Sequence, residues 1–433
     1  MWIFKITIMS NKKESIMIKR ILSIAFLMSL PYITLAKNIK ADTSMLAVVL
    51  MVKNEAPVIC QTIAPYVRAG IHNIMIVDTG SEDETVPVIQ QYFEDHNVRN
   101  WQIISDPWDS SKGSFDFEIA RNRALDFAEE IFPESTFILM PDAEWYMHNV
   151  EGLLTFCRAH IDDDCGAYLV RLVNSNIDFP AARLIRNGTN SRFIGDIHEV
   201  IHAEKFGDVP SDVYFELGAS RMGMEKSRNR WYRDLDRLLA RFAKNPEDPR
   251  TVFYLAQTYD CLQDFENAYK YYVIRSQLPG WIEETYEALY RLGKITDQLS
   301  KNNPNYTWHM AQDFYFAAHA LMPHRAEPLI KIAEYYWPDG DSPKNAPLCY
   351  LFAKRAYELP YPKQDKLFVY PYDYDFKRYE LLSKAAWHVG DYTLGAVCSR
   401  KALEYAEMPY LLRNLACYME MCNSLASSQA AQA

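Results

Sequence analysis

Residues 137–147 read FILMPDAEWYM. Four apolar side chains, Phe137 to Met140, lead through Pro141 to two carboxylates one residue apart, Asp142 and Glu144, and then to Trp145 and Tyr146. A short apolar run closed by a turn residue predicts a buried strand. Charge delivered to the end of such a strand is costly unless a cation or hydrogen bonds meet it. Oxygen-only ligands suit Mg2+ or Mn2+ better than zinc. The stretch therefore reads as the corner of a metal and diphosphate site.

Working back from it, the chain alternates strand and helix. MLAVVLMV (residues 45–52) is a β-branched apolar run ending at Asn54 and Glu55, and NIMIVDTG (73–80) is a second, ending in Asp78. Ser81 and Asp83 suit the start of the next helix, and WQIISD (101–106) is a third strand. Strands separated by helices of this length predict parallel pairing in an α/β domain, with ligands at the carboxyl ends of the strands. Polar residues stand at each of those ends: Asn54 and Glu55, Asp78, Asp106, then Asp142 and Glu144. A single acid after a strand is commonly a turn or cap, but four successive strands ending this way point to a site. FDFEIARNRALDFAEEI (115–131) reads as an amphipathic helix with Ala120, Ala124, Leu125 and Ala128 inward. Arg121 and Arg123 project from it, either as solvated charges or, for Arg121, as a bidentate partner of phosphate.

The ordered series VLMVKNE, IMIVDTGSEDET, FEIARNRAL, FILMPDAE and RLIRN…RFIGDIHEVI resembles the family 2 inverting glycosyltransferases of the GT-A fold, a match that covers roughly residues 46 to 290. Within that family it looks most like the subgroup whose catalytic domain is followed by tetratricopeptide-like helices. The resemblance implies a Rossmann-like nucleotide-diphospho-sugar transferase domain and a nucleotide-sugar donor, UDP-linked by analogy. It places Asn54 and Glu55 near the base or ribose, Asp78 at the uridine, and Ser81 and Asp83 in the same loop. Arg121 and Asn122 fall on the ARN segment, and the metal-binding element falls on Asp142 and Glu144. The subgroup usually carries Asp-Ala-Asp-Glu there, whereas this chain has Glu144 followed by Trp145; the longer glutamate can ligate from a displaced position. A divalent ion between such acids and a diphosphate stabilises the leaving group's charge.

Residues 198–202, His-Glu-Val-Ile-His, also match the HExxH zinc-peptidase pattern, which requires a helix to bring both histidines to one face. Gly195, the β-branched pair Val200 and Ile201, and Gly207 predict a strand or loop instead. In an inverting transfer a general base must reach the acceptor nucleophile. Glu199 is the first candidate and His198 the second, with Asp142 completing the catalytic set.

From residue 226 strand signals give way to paired helical patterns with small and aromatic positions, a degenerate TPR-like repeat. Helices are expected at 281–297, 310–321, 327–336, 349–359, 376–388 and 394–406. Residues 363–376, KQDKLFVYPYDYDF, fit no repeat and are expected as a loop over the groove. Stacked pairs leave a concave face for a peptide or protein acceptor, a protein partner or self-association; the acceptor class is glycan, lipid or protein. The expected organisation is a leader over 1–43, the transferase-like domain over 44–225, the helical domain over 226–423 and a disordered tail over 424–433. Residues 17–36 carry the basic, apolar and small-residue regions of a secretory signal, so export or membrane anchoring is expected, with a cytoplasmic location as the alternative. A non-catalytic scaffold with a degenerate transferase domain is the competing class.

The composition is that of a globular chain: 433 residues, 49% hydrophobic and 24% charged, which excludes wholesale disorder. The net charge of −10 excludes general nucleic-acid binding. Eight scattered cysteines form no CxxC pair, which argues against a zinc ribbon or a disulfide framework.

Overall fold

The computed structural model describes residues 43–109, 115–174, 176–195, 197–218, 220–338 and 342–430. The signal-like segment at 17–36 lies outside them. No helix among the described residues is long and apolar enough to cross a membrane.

The chain opens with β1 (Leu46–Val52), α1 (Ile59–Arg68), β2 (Asn73–Asp78), α2 (Thr85–Asp95), β3 (Asn100–Ser105), α3 (Phe117–Ile131) and β4 (Phe137–Leu139). The four strands pair in parallel in the order β3-β2-β1-β4, with Val48 opposite both Ile74 and Leu139. β1 is apolar throughout because both its faces are covered. Leu46, Val48 and Leu50 pack with Ile59, Ile63 and Tyr66 of α1, while Ala47 and Val49 pack with Ala124, Leu125 and Ala128 of α3. Each fully buried Val, Leu or Ile contributes roughly 1.5–3 kcal/mol, so the strand signal and the core are one fact. Asp116 caps α3 by accepting from the Ile119 amide at 3.1 Å.

Beyond β4 the sheet becomes mixed. β5 (Trp145–His148) and α4 (Val150–Ala159) precede β6 (Ala167–Val173) and β7 (Asp178–Arg186), and β8 (Arg192–Ile194) forms a separate hairpin with β9 (Val200–His202). β10 (Phe206–Asp208) and β11 (Tyr214–Leu217) return to the main sheet, whose path is β3-β2-β1-β4-β7-β6-β11-β5. β7 runs antiparallel to both β4 and β6.

The helical half begins with α5 (Arg221–Lys244), ahead of the expected boundary at 226. It continues through α6 (Pro249–Cys261), α7 (Phe265–Gln277), α8 (Ile282–Ser300), α9 (Trp308–Leu321), α10 (Glu327–Tyr336) and α11 (Ala346–Glu358). After a π turn at Asp373–Lys377 come α12 (Arg378–Ala385), a 3-10 turn, α13 (Tyr392–Tyr405) and α14 (Pro409–Ala430). The side chains of Asp248, Asp264, Thr307, Asn345 and Asp391 each cap a helix by accepting an amide three residues on. The pairs are close enough that Gly293 of α8 faces the Tyr315 ring, where a Cβ would lie 2.4 Å from a ring carbon.

Two expectations for this half are corrected. Residues 424–430 continue α14 and are not a disordered tail; the small residues Ala and Ser that made them read as frayed are compatible with a helix begun at Pro409. Residues 363–376 are not a loop over a groove. Val369 forms an antiparallel bridge with Asp178 at the start of β7, with N–O distances of 2.8 Å in both directions. Tyr361 donates its hydroxyl to Asp178, Lys366 reaches Asp208 at 2.6 Å, and Phe368 packs edge-on against Phe179. The segment is a strap that joins the helical half to the sheet.

Candidate functional site

The crossovers from β1 to β2 to β3 run to one side of β1, and β4 returns to the other, so the strand order reverses between β1 and β4. A crevice opens at the carboxyl ends of strands at such a reversal. Asn54 and Glu55 leave β1 on one side of it, and Asp142 leaves β4 on the other.

On the β1 side, the expected residues knit two loops together. Asn54, in the left-handed region at φ 55°, donates its amide to Ser81 Oγ at 3.0 Å and accepts from the Glu82 amide at 2.7 Å. The Ser81 amide lies 3.1 and 3.2 Å from the two oxygens of buried Asp78. Asp83 accepts from the amides of Ala56 and Thr85 at 3.3 and 3.0 Å, and the Glu55 amide donates to Thr85 Oγ1 at 2.7 Å. Glu55 extends its carboxylate to Lys226 of α5, 2.8 Å away. Burial raises its pKa and outweighs the lowering by Lys226.

On the β4 side lies a charged cluster. The Arg121 guanidinium is 3% exposed and bridges two acids, Asp142 Oδ1 at 2.7 Å and Glu199 Oε1 at 2.6 Å. Arg183 of β7 adds a contact to Glu199 at 3.6 Å and stacks over the Trp145 and Phe193 rings, at 5.1 and 5.6 Å from their centroids. Burial acts to raise the pKa of both acids, but Arg121 and then Arg183 hold Asp142 and Glu199 below the usual carboxylate range. Arg183 is pushed the other way, downward, by burial and by Arg121.

His198 and Glu199 occupy the bend between β8 and β9, His198 at φ 53°. The His198 ring stacks on Tyr254 of α6, with centroids 3.8 Å apart, and its carbonyl accepts from Arg250 at 3.0 Å. Desolvation, Arg230 and Arg250 push the imidazole pKa down to about 3 against the pull of Glu199. Asn122 meets the Phe193 backbone through both amide atoms, at 2.9 and 2.8 Å, and so fastens α3 to β8.

The zinc-peptidase reading is corrected by this geometry. Residues 198–202 form a bend and a strand, not a helix, and His202 is exposed on β9 while His198 is stacked against α6.

Glu144 is turned away from Asp142. It adopts φ 64°, receives the Ser220 hydroxyl on its carboxylate, and its carbonyl accepts from Gly218 at 2.7 Å. Ser220 caps α5, so the buried acid sits where the helix dipole favours negative charge. A Cβ on Gly223 would lie 2.6 Å from Glu144 Oε2, which explains glycine in the first turn of α5. The side chain of Asp142, by contrast, keeps 37% of its surface exposed, and its hydrogen bond engages Oδ1. The structure thus joins Arg121, Asp142 and Glu199, joins Asn54, Asp78, Ser81 and Asp83 separately, and commits Glu144 to the start of the helical half.

Elsewhere, Asp163, Asp164 and Cys165 bring three metal-type donors within 4.8 Å. Asp164 already pairs with Lys205, and the group lies on the turn before β6.

Arg183 was missed by sequence reasoning. Its signal is an arginine between Ala182 and Leu184 in the apolar middle of β7, a charge that burial permits only beside a partner.

No protein-family model matches the chain, and no curated protein matches it. Among solved structures, a mannosyltransferase from Pyrobaculum calidifontis in complex with GDP-Man and Mn2+ is similar over 64% of this chain and 86% of its own, with 14% identity and a TM-score of 0.34. The C-terminal part of a TPR repeat-containing protein from Cytophaga hutchinsonii is similar over 43% of this chain and 63% of its own, with 18% identity and a TM-score of 0.32. MamA is similar over 43% of this chain and 95% of its own, at 16% identity and a TM-score of 0.32.

Proposed function

We propose that the chain transfers a sugar, with inversion, from a nucleotide-sugar donor bound in the crevice between β1 and β4. The observation that carries this reading is the placement of Asn54 and Glu55 on one lip and the Arg121–Asp142–Glu199 cluster on the other, at the reversal point of a parallel sheet. The β1 and β2 loops, closed by Asp78, Ser81 and Asp83, form the nucleoside end, for which a UDP-linked donor is our choice. The cluster, in which Arg121 and Arg183 balance Asp142 and Glu199, forms the diphosphate end.

Arg121 fixes Asp142 in place and keeps Glu199 ionised. Glu199 is assigned the acceptor's proton because Arg121 keeps it ionised, and His198, stacked on Tyr254, serves as a contact on the acceptor side. An acceptor of glycan, lipid or protein class would enter from the side of α6, where Tyr254 and Arg250 stand.

Oxygen donors suit Mn2+ or Mg2+. Asp142 fits such an ion, since its carboxylate is partly exposed and hydrogen-bonded through Oδ1, whereas Glu144 joins it only on releasing Ser220. When bound, the ion neutralises charge developing on the departing diphosphate.

The test is release of nucleoside diphosphate from a panel of UDP- and GDP-sugars by the purified chain, with Mn2+ and with chelator, against Asp142→Ala. Release that the substitution abolishes supports the reading. The commitment of Glu144 to Ser220 favours the alternative, a scaffold built on a degenerate transferase domain. The absence of both diphosphate release and diphosphate binding would favour that alternative over the transferase.

A further inference from the structure

Helix α5 belongs to the helical half by sequence, yet one of its faces lies along the crevice. Residues spaced three and four apart share that face. Near its start, Gly223 abuts Glu144. Lys226 Nζ is 2.8 Å from the Glu55 carboxylate and 2.7 Å from the Asn54 carbonyl. Farther along, Arg237 donates to the Phe115 carbonyl at 3.1 Å, just before α3. The helix therefore crosses from the β1 lip to the α3 lip, roughly 16 Å over the eleven residues from Lys226 to Arg237 at about 1.5 Å each.

Arg230 falls between these anchors. Its charge acts on both Asp142 and His198. Three other cations at the crevice are engaged, Arg121 and Arg183 with the two acids and Lys226 with Glu55. Arg230 is exposed and enters none of the ion pairs of the described residues. A diphosphate needs a cation that is not already neutralised, and a guanidinium offers paired donors to phosphate oxygens.

We infer that α5 is the outer wall of the donor site and that Arg230 is the residue that binds the diphosphate across from Asp142. The inference rests on the donor reading above and deepens it: the helical half would complete the nucleotide site as well as meet acceptors or partners.

Calorimetric titration of the full chain with uridine, UMP, UDP and GDP, in Mn2+ and in chelator, tests it. Arg230→Ala is expected to weaken UDP and GDP about tenfold or more and to leave uridine unchanged, with Arg230→Lys intermediate. Because Arg230 is exposed, the thermal midpoint of both variants is expected to match the parent. Unchanged diphosphate affinity in Arg230→Ala, beside a parent that binds, overturns the inference alone. Equal weakening of uridine and UDP also overturns it. A parent chain that binds neither UDP nor GDP overturns the donor reading and this inference with it.

Discussion

Ser220 donates its hydroxyl to the Glu144 carboxylate across 76 residues of sequence, and the same oxygen accepts the Gly223 amide at 2.9 Å. One side chain thus caps the first helix of the repeat half and holds the acid that follows β4. The extra methylene of glutamate is what lets this acid reach the cap.

Ser220→Ala removes a helix cap, about 1 kcal/mol, and leaves a buried carboxylate short of a donor, about 1–3 kcal/mol. Urea unfolding is expected to show a loss of about 2–3 kcal/mol, with most of it restored by threonine. A loss below about 0.5 kcal/mol would show that the contact carries no weight.

Arg121 is a second case in which removal exposes buried charge. Arg121→Ala leaves Asp142 and Glu199 without their shared partner, and truncating one member of a buried ion pair costs about 3–5 kcal/mol. Lysine, a single point charge, cannot span two carboxylates approached through Nε and a terminal nitrogen. An Arg121→Lys protein as stable as the parent would refute this account.

His198 is expected to stay neutral through the physiological range. Its folded pKa of about 3 lies below the unfolded 6.5, so the unfolded chain takes up the proton first. Its contribution to stability is present above pH 6.5 and is lost as pH falls toward 3. A histidine NMR titration would show no His198 transition between pH 8 and pH 5, and a midpoint near 6.5 would contradict the stacked, desolvated geometry.

In the helical half, burial lifts the Asp373 pKa from 3.8 to about 6, only partly opposed by Lys331 at 3.9 Å. The raised value means stability that is full below pH 4 and is lost as pH rises through 6. The loss is on the order of 2–3 kcal/mol at about 1.4 kcal/mol per pH unit. Asp373→Asn is expected to flatten unfolding free energy between pH 4 and pH 6.5; an unchanged slope would place the titration elsewhere.

What was legible in the chain follows from range of interaction. β1 and β2 were readable because burial on both faces makes them continuous apolar runs, and α3 because its buried positions recur every three to four residues; the strand-end polar residues followed from them. Arg121 was noticed, but its buried bridge was not, since Glu199 lies 78 residues away and no local period encodes that. The turning of Glu144 was hidden for the same reason, its partner being a cap on a distant helix. α14 had a local signal, Pro409 followed by Leu411, Leu415 and Tyr418 at helical spacing, which the small residues at its end obscured. The strap at 361–369 had none, because an extended segment takes its meaning from the strand it meets.

That strap sets a clock. Tyr361 follows Asp178 by 183 residues, and at about 5–20 residues per second roughly 10–40 s of synthesis separates them. During that interval the start of β7 has neither the Tyr361 hydroxyl nor the Val369 bridge. In the nascent chain, whose last strand ends at Leu217, the bridge at the start of β7 therefore forms only after most of the helical half has been synthesised.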